Sequence, residues 1–148
     1  MALSKIDEAI TQFQSAIKAN ADNINPHYQL GLAYSLLKKY PEAVAEFREM
    51  SRRAPQIPEP RLQSGVILLF YMQKPEEAAI EFRVLVKLKP TDAISHFYLG
   101  TALYNITGKA DEAIAEFREA VRLDPTNDNA KSYLDRALKA RSAAAPTH

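Results

Sequence analysis

Apolar side chains recur along this chain at spacings of three and four residues, which is the pattern of amphipathic α-helices. In the first segment these positions are Ile6, Ala9, Ile10, Phe13, Ala16 and Ile17. Prolines and acidic residues near the start of later segments mark further helix boundaries. The sequence predicts eight helices, which are about Ser4 to Ala19, Pro26 to Lys38, Pro41 to Arg53, Glu59 to Met72, Pro75 to Leu88, Asp92 to Ile106, Lys109 to Leu123 and Asn127 to Arg141. We expect Ser142 to His148 to be frayed.

A short unit, Ala-x-x-x-Phe, occurs four times within this pattern. Its phenylalanines are 34, 35 and 35 residues apart, at Phe13, Phe47, Phe82 and Phe117. A fixed period of this size indicates one helix pair that is copied and stacked. We therefore expect an array of helix pairs with these four rings in its core.

The residues around the unit carry a resemblance to a known family. The segments HYQLGLAY (27–34) and HFYLGTAL (96–103) precede two of the units, and Pro55, Pro90 and Pro125 follow three of them. An aromatic residue, Leu-Gly, Tyr, Ala-x-x-x-Phe and Pro in this order resemble the tetratricopeptide repeat. The resemblance implies an all-α fold, a right-handed superhelical solenoid of antiparallel helix pairs with about eight helices. The middle repeat departs most, with Ser64-Gly65 in place of Leu-Gly, and Ala21 replaces the first proline.

The period also divides the chain. We expect an unpaired helix over 1–22, the second half of an incomplete repeat, followed by complete repeats over 23–56, 57–91 and 92–126. Residues 127–148 are expected to form a capping helix and a frayed tail. The first helix lacks the partner that would cover one side of its apolar stripe, so this face is expected either to continue a longer array or to meet another chain.

Composition excludes several classes of function. The net charge is +1 with acids and bases interleaved, so no basic surface for nucleic acid is expected. The chain has no cysteine, which excludes disulfides and thiolate metal sites. Its longest apolar run, Val66 to Met72, is far shorter than the roughly 20 residues of a membrane helix. The amino terminus does not resemble a signal peptide, and a cytoplasmic location is the default expectation.

Residue types that often carry chemistry fall at structural positions here. Gly31, Gly65 and Gly100 share one repeat position, which indicates close approach of paired helices. His27 and His96 are also equivalent and are two repeats apart, so we expect them to fill an aromatic slot between helices and not to share a metal.

Carboxylates and hydroxyls give no catalytic pattern either. The acid pairs at 76–77 and 111–112 lie at helix starts, where they stabilise the helix dipole. No nucleophile with a neighbouring base can be assembled. We therefore expect no catalytic residue, no cofactor and no metal site, and the chain is not expected to be an enzyme.

The resemblance implies that partner segments lie along the first helices of the repeats, in a concave groove. Helical spacing from the glycines predicts a lining of Asn25, Tyr28, Leu32, Leu62, Val66, Leu69, Phe97, Thr101, Tyr104 and Arg136. Some family members bind the carboxylate end of a chaperone tail through Lys, Arg and Asn in this groove, but the lining here is mostly apolar and that clamp is absent. The run Val66 to Met72 is apolar all round, so either a partner covers it or its own repeats bury it.

The sequence therefore predicts a noncatalytic scaffold or adaptor that binds a protein or peptide segment with apolar anchors. Two alternatives stay open. The chain could self-associate through the unpaired first helix and the apolar central helix, as a homo-oligomer. It could also be the targeting array of a larger multidomain protein.

Overall fold

The computed structural model describes residues 2–144, with side chains for residues 5–143. Within this range the chain forms eight α-helices and no strand, which confirms the all-α prediction. The helices are α1 (Ala2–Ala19), α2 (Asn25–Leu36), α3 (Tyr40–Arg53), α4 (Glu59–Phe70), α5 (Pro75–Leu88), α6 (Ala93–Tyr104), α7 (Ala110–Leu123) and α8 (Asp128–Ala144).

Backbone geometry explains where the helix ends differ from prediction. Lys38 has a φ of 57°, and Gln73 has a φ of 54°. A left-handed residue ends a helix, so α2 and α4 each end two residues before the predicted position. At the other end of the chain α8 extends to Ala144, which includes part of the segment expected to be frayed. Residues 145–148 lie outside the described part of the chain.

The chain divides into two compact units, Met1–Met72 and Gln73–His148. In the first unit α1 packs against α2, α2 against α3, and α3 against α4. In the second unit α5 packs against α6, α6 against α7, and α7 against α8; α6 also contacts α8. Short turns join consecutive helices within each unit, so sequence neighbours pack as antiparallel pairs.

Phenylalanine rings and glycines form the centre of the packing. Phe47, Phe82 and Phe117 are fully buried. An ideal Cβ on Gly31 would lie 2.6 Å from the Phe47 ring, and one on Gly100 would lie 2.7 Å from the Phe117 ring. The expectation that these two glycines permit close helix approach is confirmed.

The expectation that all four phenylalanine rings lie in the core is wrong for Phe13, whose side chain is only half-buried. Among the described residues, the helix packed against α1 is α2. A ring that has a helix on one side only keeps part of its surface in water.

The apolar run of α4 also departs from expectation at its end. Ile67, Leu68 and Leu69 are buried, whereas Phe70 and Tyr71 are 50% and 59% exposed. Burial of the run within the protein therefore accounts for its middle and not for its two aromatic residues.

Candidate protein-binding surfaces

The first unit contains six of the residues predicted to line a groove. Tyr28, Leu32, Leu62 and Val66 are half-buried, and Asn25 is exposed. The Tyr28 ring packs 5.5 Å from the buried Phe47 ring, measured between centroids, so the core fixes its position.

Leu69, the sixth residue, is only 7% exposed. Its side chain belongs to the buried part of α4 and offers little surface to a partner. A charged substitution there would disturb folding before it tested recognition.

The second unit contains the other four predicted residues. Phe97 and Tyr104 on α6 are half-buried, and Arg136 on α8 is exposed. Thr101 is 1% exposed, and its hydroxyl donates a hydrogen bond of 2.8 Å to the Phe97 carbonyl oxygen. Because α6 packs against both α7 and α8, the middle of this helix is covered, and Thr101 has no surface to present.

Tyr133 of α8 joins the side chains of the second unit into one aromatic cluster. Its ring centroid lies 5.4 Å from that of Phe97, nearly perpendicular to it, and 5.7 Å from that of Phe117. The Tyr104 centroid lies 6.4 Å from that of Phe117. These separations suit edge-to-face aromatic packing, so the rings are held in place before any partner arrives.

The guanidinium of Arg136 lies over this cluster. Its Cζ is 5.2 Å from the Tyr133 ring centroid and 6.0 Å from the Tyr104 centroid, which is within the range of cation–π attraction. Among the residues that the structure describes, no carboxylate pairs with it. We call Phe97, Tyr104, Tyr133 and Arg136 the aromatic–arginine surface.

The residues predicted to line the groove did not include Tyr133. The signal was its position three residues before Arg136, because residues at this spacing share a helix face. What the spacing did not reveal is the contact between α6 and α8, which brings Tyr133 against Phe97.

A shallow pocket of about 400 Å³ lies beside Tyr104. The α6–α7 turn forms one wall, with Ile106 and Gly108, and Ala140 and Arg141 of α8 form another. The pocket extends the aromatic–arginine surface toward one end of the second unit.

The two histidines occupy equivalent repeat positions. Each ring packs between helices, as expected, and also bonds to a glutamate. His27 Nδ1 lies 2.7 Å from a Glu46 carboxylate oxygen, and His96 Nδ1 lies 2.7 Å from one of Glu116. Both rings are buried. The missed signal is the glutamate that directly precedes the repeated phenylalanine of the last three units.

The second nitrogen of each ring has a different environment. His96 Nε2 lies 3.0 Å from the Pro90 carbonyl oxygen. Burial lowers the pKa of His96, but the hydrogen bonds to Pro90 and Glu116 and the charge of Glu116 act in the opposite direction, and the net result is a raised pKa.

His27 lacks the corresponding carbonyl contact. Six residues before it stands Ala21, whose carbonyl oxygen accepts a hydrogen bond from Arg53. His27 Nε2 is buried without a hydrogen-bond partner among the described residues. Where Ala21 replaces the proline of the other repeats, the carbonyl oxygen at this position therefore bonds to Arg53 and not to the histidine.

These groups do not assemble into a metal site or a nucleophile. No cluster of three or more His, Cys, Asp or Glu suited to a metal occurs in the described range. Ser95 is next to His96 in sequence, but its hydroxyl and its backbone N–H both donate to the Asp92 carboxylate, which caps α6. None of the helices within residues 2–144 has the length and apolar character needed to cross a bilayer.

Solved structures share this arrangement of helices. YrrB, described as a TPR protein with an unusual peptide-binding site, has a TM-score of 0.82 at 20% identity over 97% of this chain and 73% of its own. MamA from Desulfovibrio magneticus has a TM-score of 0.72 at 20% identity, over 95% of this chain and 88% of its own. The first TPR of Spaghetti (RPAP3), bound to an HSP90 peptide, has a TM-score of 0.71 at 21% identity, over 78% and 90%.

The amino-acid sequence also matches models of a known protein family. No curated protein matches the sequence. A TPR repeat family model matches residues 1–38, and two tetratricopeptide repeat models match residues 24–57 and 66–128. These matches cover the repeated glycines and phenylalanines whose packing is described above, and the chain belongs to the tetratricopeptide repeat family.

Proposed function

We propose that this protein is a noncatalytic interaction module that binds an apolar or amphipathic protein segment on the aromatic–arginine surface. The family and the fold support a protein-interaction scaffold in general. The observation that carries the specific proposal is the position of Arg136, an exposed cation over two tyrosine rings with no carboxylate partner in the described structure.

The chemistry of the surface favours a segment with apolar anchors. Phe97, Tyr104 and Tyr133 are half-buried, so each ring keeps some exposed surface, and its ring contacts fix its orientation. Ordered aromatic side chains gain contact area at small entropic cost. Arg136 adds a donor for one acidic group of the same segment, and the pocket beside Tyr104 could receive an anchor side chain.

YrrB has a peptide-binding site and the first TPR of Spaghetti binds an HSP90 peptide, which supports the same class of ligand for the present chain. In the first unit, Tyr28 and Leu32 of α2 and Leu62 and Val66 of α4 are also half-buried, and we propose that they have the same role there.

Site-specific photocrosslinking tests the proposal. A benzophenone side chain is introduced at Tyr104 or, as a control, at the exposed Arg118 of α7. In the native cell, the Tyr104 probe should yield one dominant crosslinked segment with apolar anchors, whereas the Arg118 probe should not. A synthetic peptide of that segment should bind the purified chain, and Arg136→Ala should weaken it. Equal crosslinking from both positions, or binding indifferent to Arg136, would overturn the assignment.

Self-association through α1 is a second candidate. It is favoured by the half-buried Phe13, in contrast to the fully buried rings of the three later repeats. Sedimentation equilibrium of the full chain should then reveal a concentration-dependent oligomer that Ile10→Ser/Phe13→Ser abolishes. A strict monomer at all concentrations would eliminate this candidate.

A further inference from the structure

One edge of the first unit exposes an unusual amount of apolar surface. Leu36 and Phe70, the last residues of α2 and α4, are 70% and 50% exposed, and the neighbouring Tyr71 is 59% exposed. Contiguous exposed apolar patches of this kind often mark interaction sites on soluble proteins.

Two of the rings at this edge are locked together. The Tyr71 ring stacks on that of Tyr40 at the start of α3, with centroids 4.8 Å apart and planes inclined by 27°. The stack joins the α2–α3 turn to the end of α4. We call Leu36, Tyr40, Phe70 and Tyr71 the aromatic edge.

The repeat itself does not require these residues. In the second unit, Asn105 occupies the repeat position equivalent to Leu36 and Phe70. It is exposed, and its side-chain amide donates a hydrogen bond of 2.8 Å to the Thr101 carbonyl oxygen. The residue equivalent to Tyr40 in that repeat is Ala110. The same turn can therefore be built without an apolar surface, and the aromatic edge calls for another explanation.

Two lysines give this edge its charge. Lys38 and Lys39 lie in the turn between Leu36 and Tyr40, and both are exposed. Across residues 5–143, neither ammonium group makes a hydrogen bond or an ion pair. Lys39 lacks this contact even though Glu42 follows it by three residues.

The lysines equivalent to Lys39 in the other repeats are neutralised, whereas the positions equivalent to Lys38 are Gln73 and Gly108. Lys74 pairs with Glu77 at 2.9 Å, and Lys109 pairs with Glu112 at 2.5 Å, each three residues later. The two unpaired charges therefore occur at the turn that also carries the exposed rings.

We propose that the aromatic edge, together with Lys38 and Lys39, is a second docking surface, for an acidic protein segment with an aliphatic or aromatic anchor. The exposed rings would bury the anchor, and the lysines would pair with flanking carboxylates. A membrane is a poorer match, because binding to anionic lipid typically uses clusters of four to eight basic residues.

Peptide selection on the full-length chain tests this proposal. A random 12-residue display library is selected against the wild type, and the enriched peptides are measured by fluorescence anisotropy. We expect peptides rich in Asp and Glu around Leu, Phe or Trp. Leu36→Ser/Tyr71→Ser and Lys38→Glu/Lys39→Glu should each weaken binding by about tenfold or more.

Matched controls separate this surface from the first one. Lys87→Glu/Lys89→Glu changes the net charge equally at exposed positions of the second unit and should leave binding unchanged. Arg136→Ala should also leave it unchanged. Loss of binding with Arg136→Ala alone would place the acidic peptides on the aromatic–arginine surface and overturn the present proposal without affecting the first. Circular dichroism confirms that each variant is folded.

Other results would also overturn the inference. These are an absence of acidic peptides among those selected, or equal binding by the edge variants. A concentration-dependent dimer lost in Leu36→Ser/Tyr71→Ser would assign the edge to a second copy of the chain. Sedimentation with phosphatidylserine vesicles that depends on Lys38 and Lys39 would assign it to lipid.

Discussion

The Phe47 ring lies so close to Gly31 that a Cβ at this glycine would be 2.6 Å from the ring. The same relationship holds between Phe117 and Gly100, at 2.7 Å. Each glycine and ring therefore form one packing unit, in which the missing side chain of one helix makes room for the aromatic side chain of the next.

Gly31→Ala should destabilise the protein by about 1–3 kcal/mol, because overpacking against a fully buried ring outweighs the gain in helix propensity of roughly 1 kcal/mol. Urea unfolding measures the change. Combining it with Phe47→Leu, which removes part of the ring, should reduce the added cost of the alanine. A stabilised Gly31→Ala protein would contradict the packing described here.

Phe117→Ala and Phe13→Ala should differ in their cost. Phe117 is fully buried among Phe97, Tyr104 and Tyr133, and its truncation should cost roughly 3–5 kcal/mol. Phe13 is half-buried, so the same change should cost about half as much or less. The free energies of unfolding from urea titration decide this. Equal costs at low protein concentration would mean that α1 is covered as completely as the later helices.

The contribution of His96 should depend on pH. Its pKa is raised in the folded state, since its hydrogen bonds and the charge of Glu116 outweigh the opposing effect of burial. A raised folded pKa gives stability that is complete below the unfolded value of about 6.5 and is lost as pH rises through the folded value.

Glu116→Gln should therefore destabilise the protein more at pH 5.5 than at pH 8.5, as measured by thermal unfolding. The exposed Glu76→Gln provides a control with the same change in charge. A destabilisation by Glu116→Gln that is independent of pH would indicate that the contact acts through packing and not through the imidazolium.

Arg136→Ala should have little effect on folding, because an exposed cation–π contact contributes about 0.5–1 kcal/mol. Tyr133→Ala should cost more, since its ring packs against both Phe97 and Phe117. Chemical unfolding compares the two. If Arg136→Ala proved the more destabilising, the arginine would be a structural residue, and its use in binding assays would need a Lys substitution instead.

The first helix illustrates what local pattern can and cannot establish. The spacing of Ile6, Ile10 and Phe13 was sufficient to predict α1, because helix period depends only on which residues lie on one face. The burial of Phe13 was predicted wrongly, because it depends on a neighbouring helix on its far side. Glu46 and Glu116 were missed for a related reason: their partners are 19 and 20 residues away, on another helix.

By itself, the sequence determined the repeat, the eight helices and the close approach at Gly31 and Gly100. These features follow from spacing along the chain and from the absence of a side chain at fixed positions. The tertiary structure alone decided that Thr101 is buried, that Tyr133 joins the surface around Arg136, and that Tyr40 stacks on Tyr71 at an exposed edge. Each of these depends on contacts between helices, which spacing along one helix does not specify.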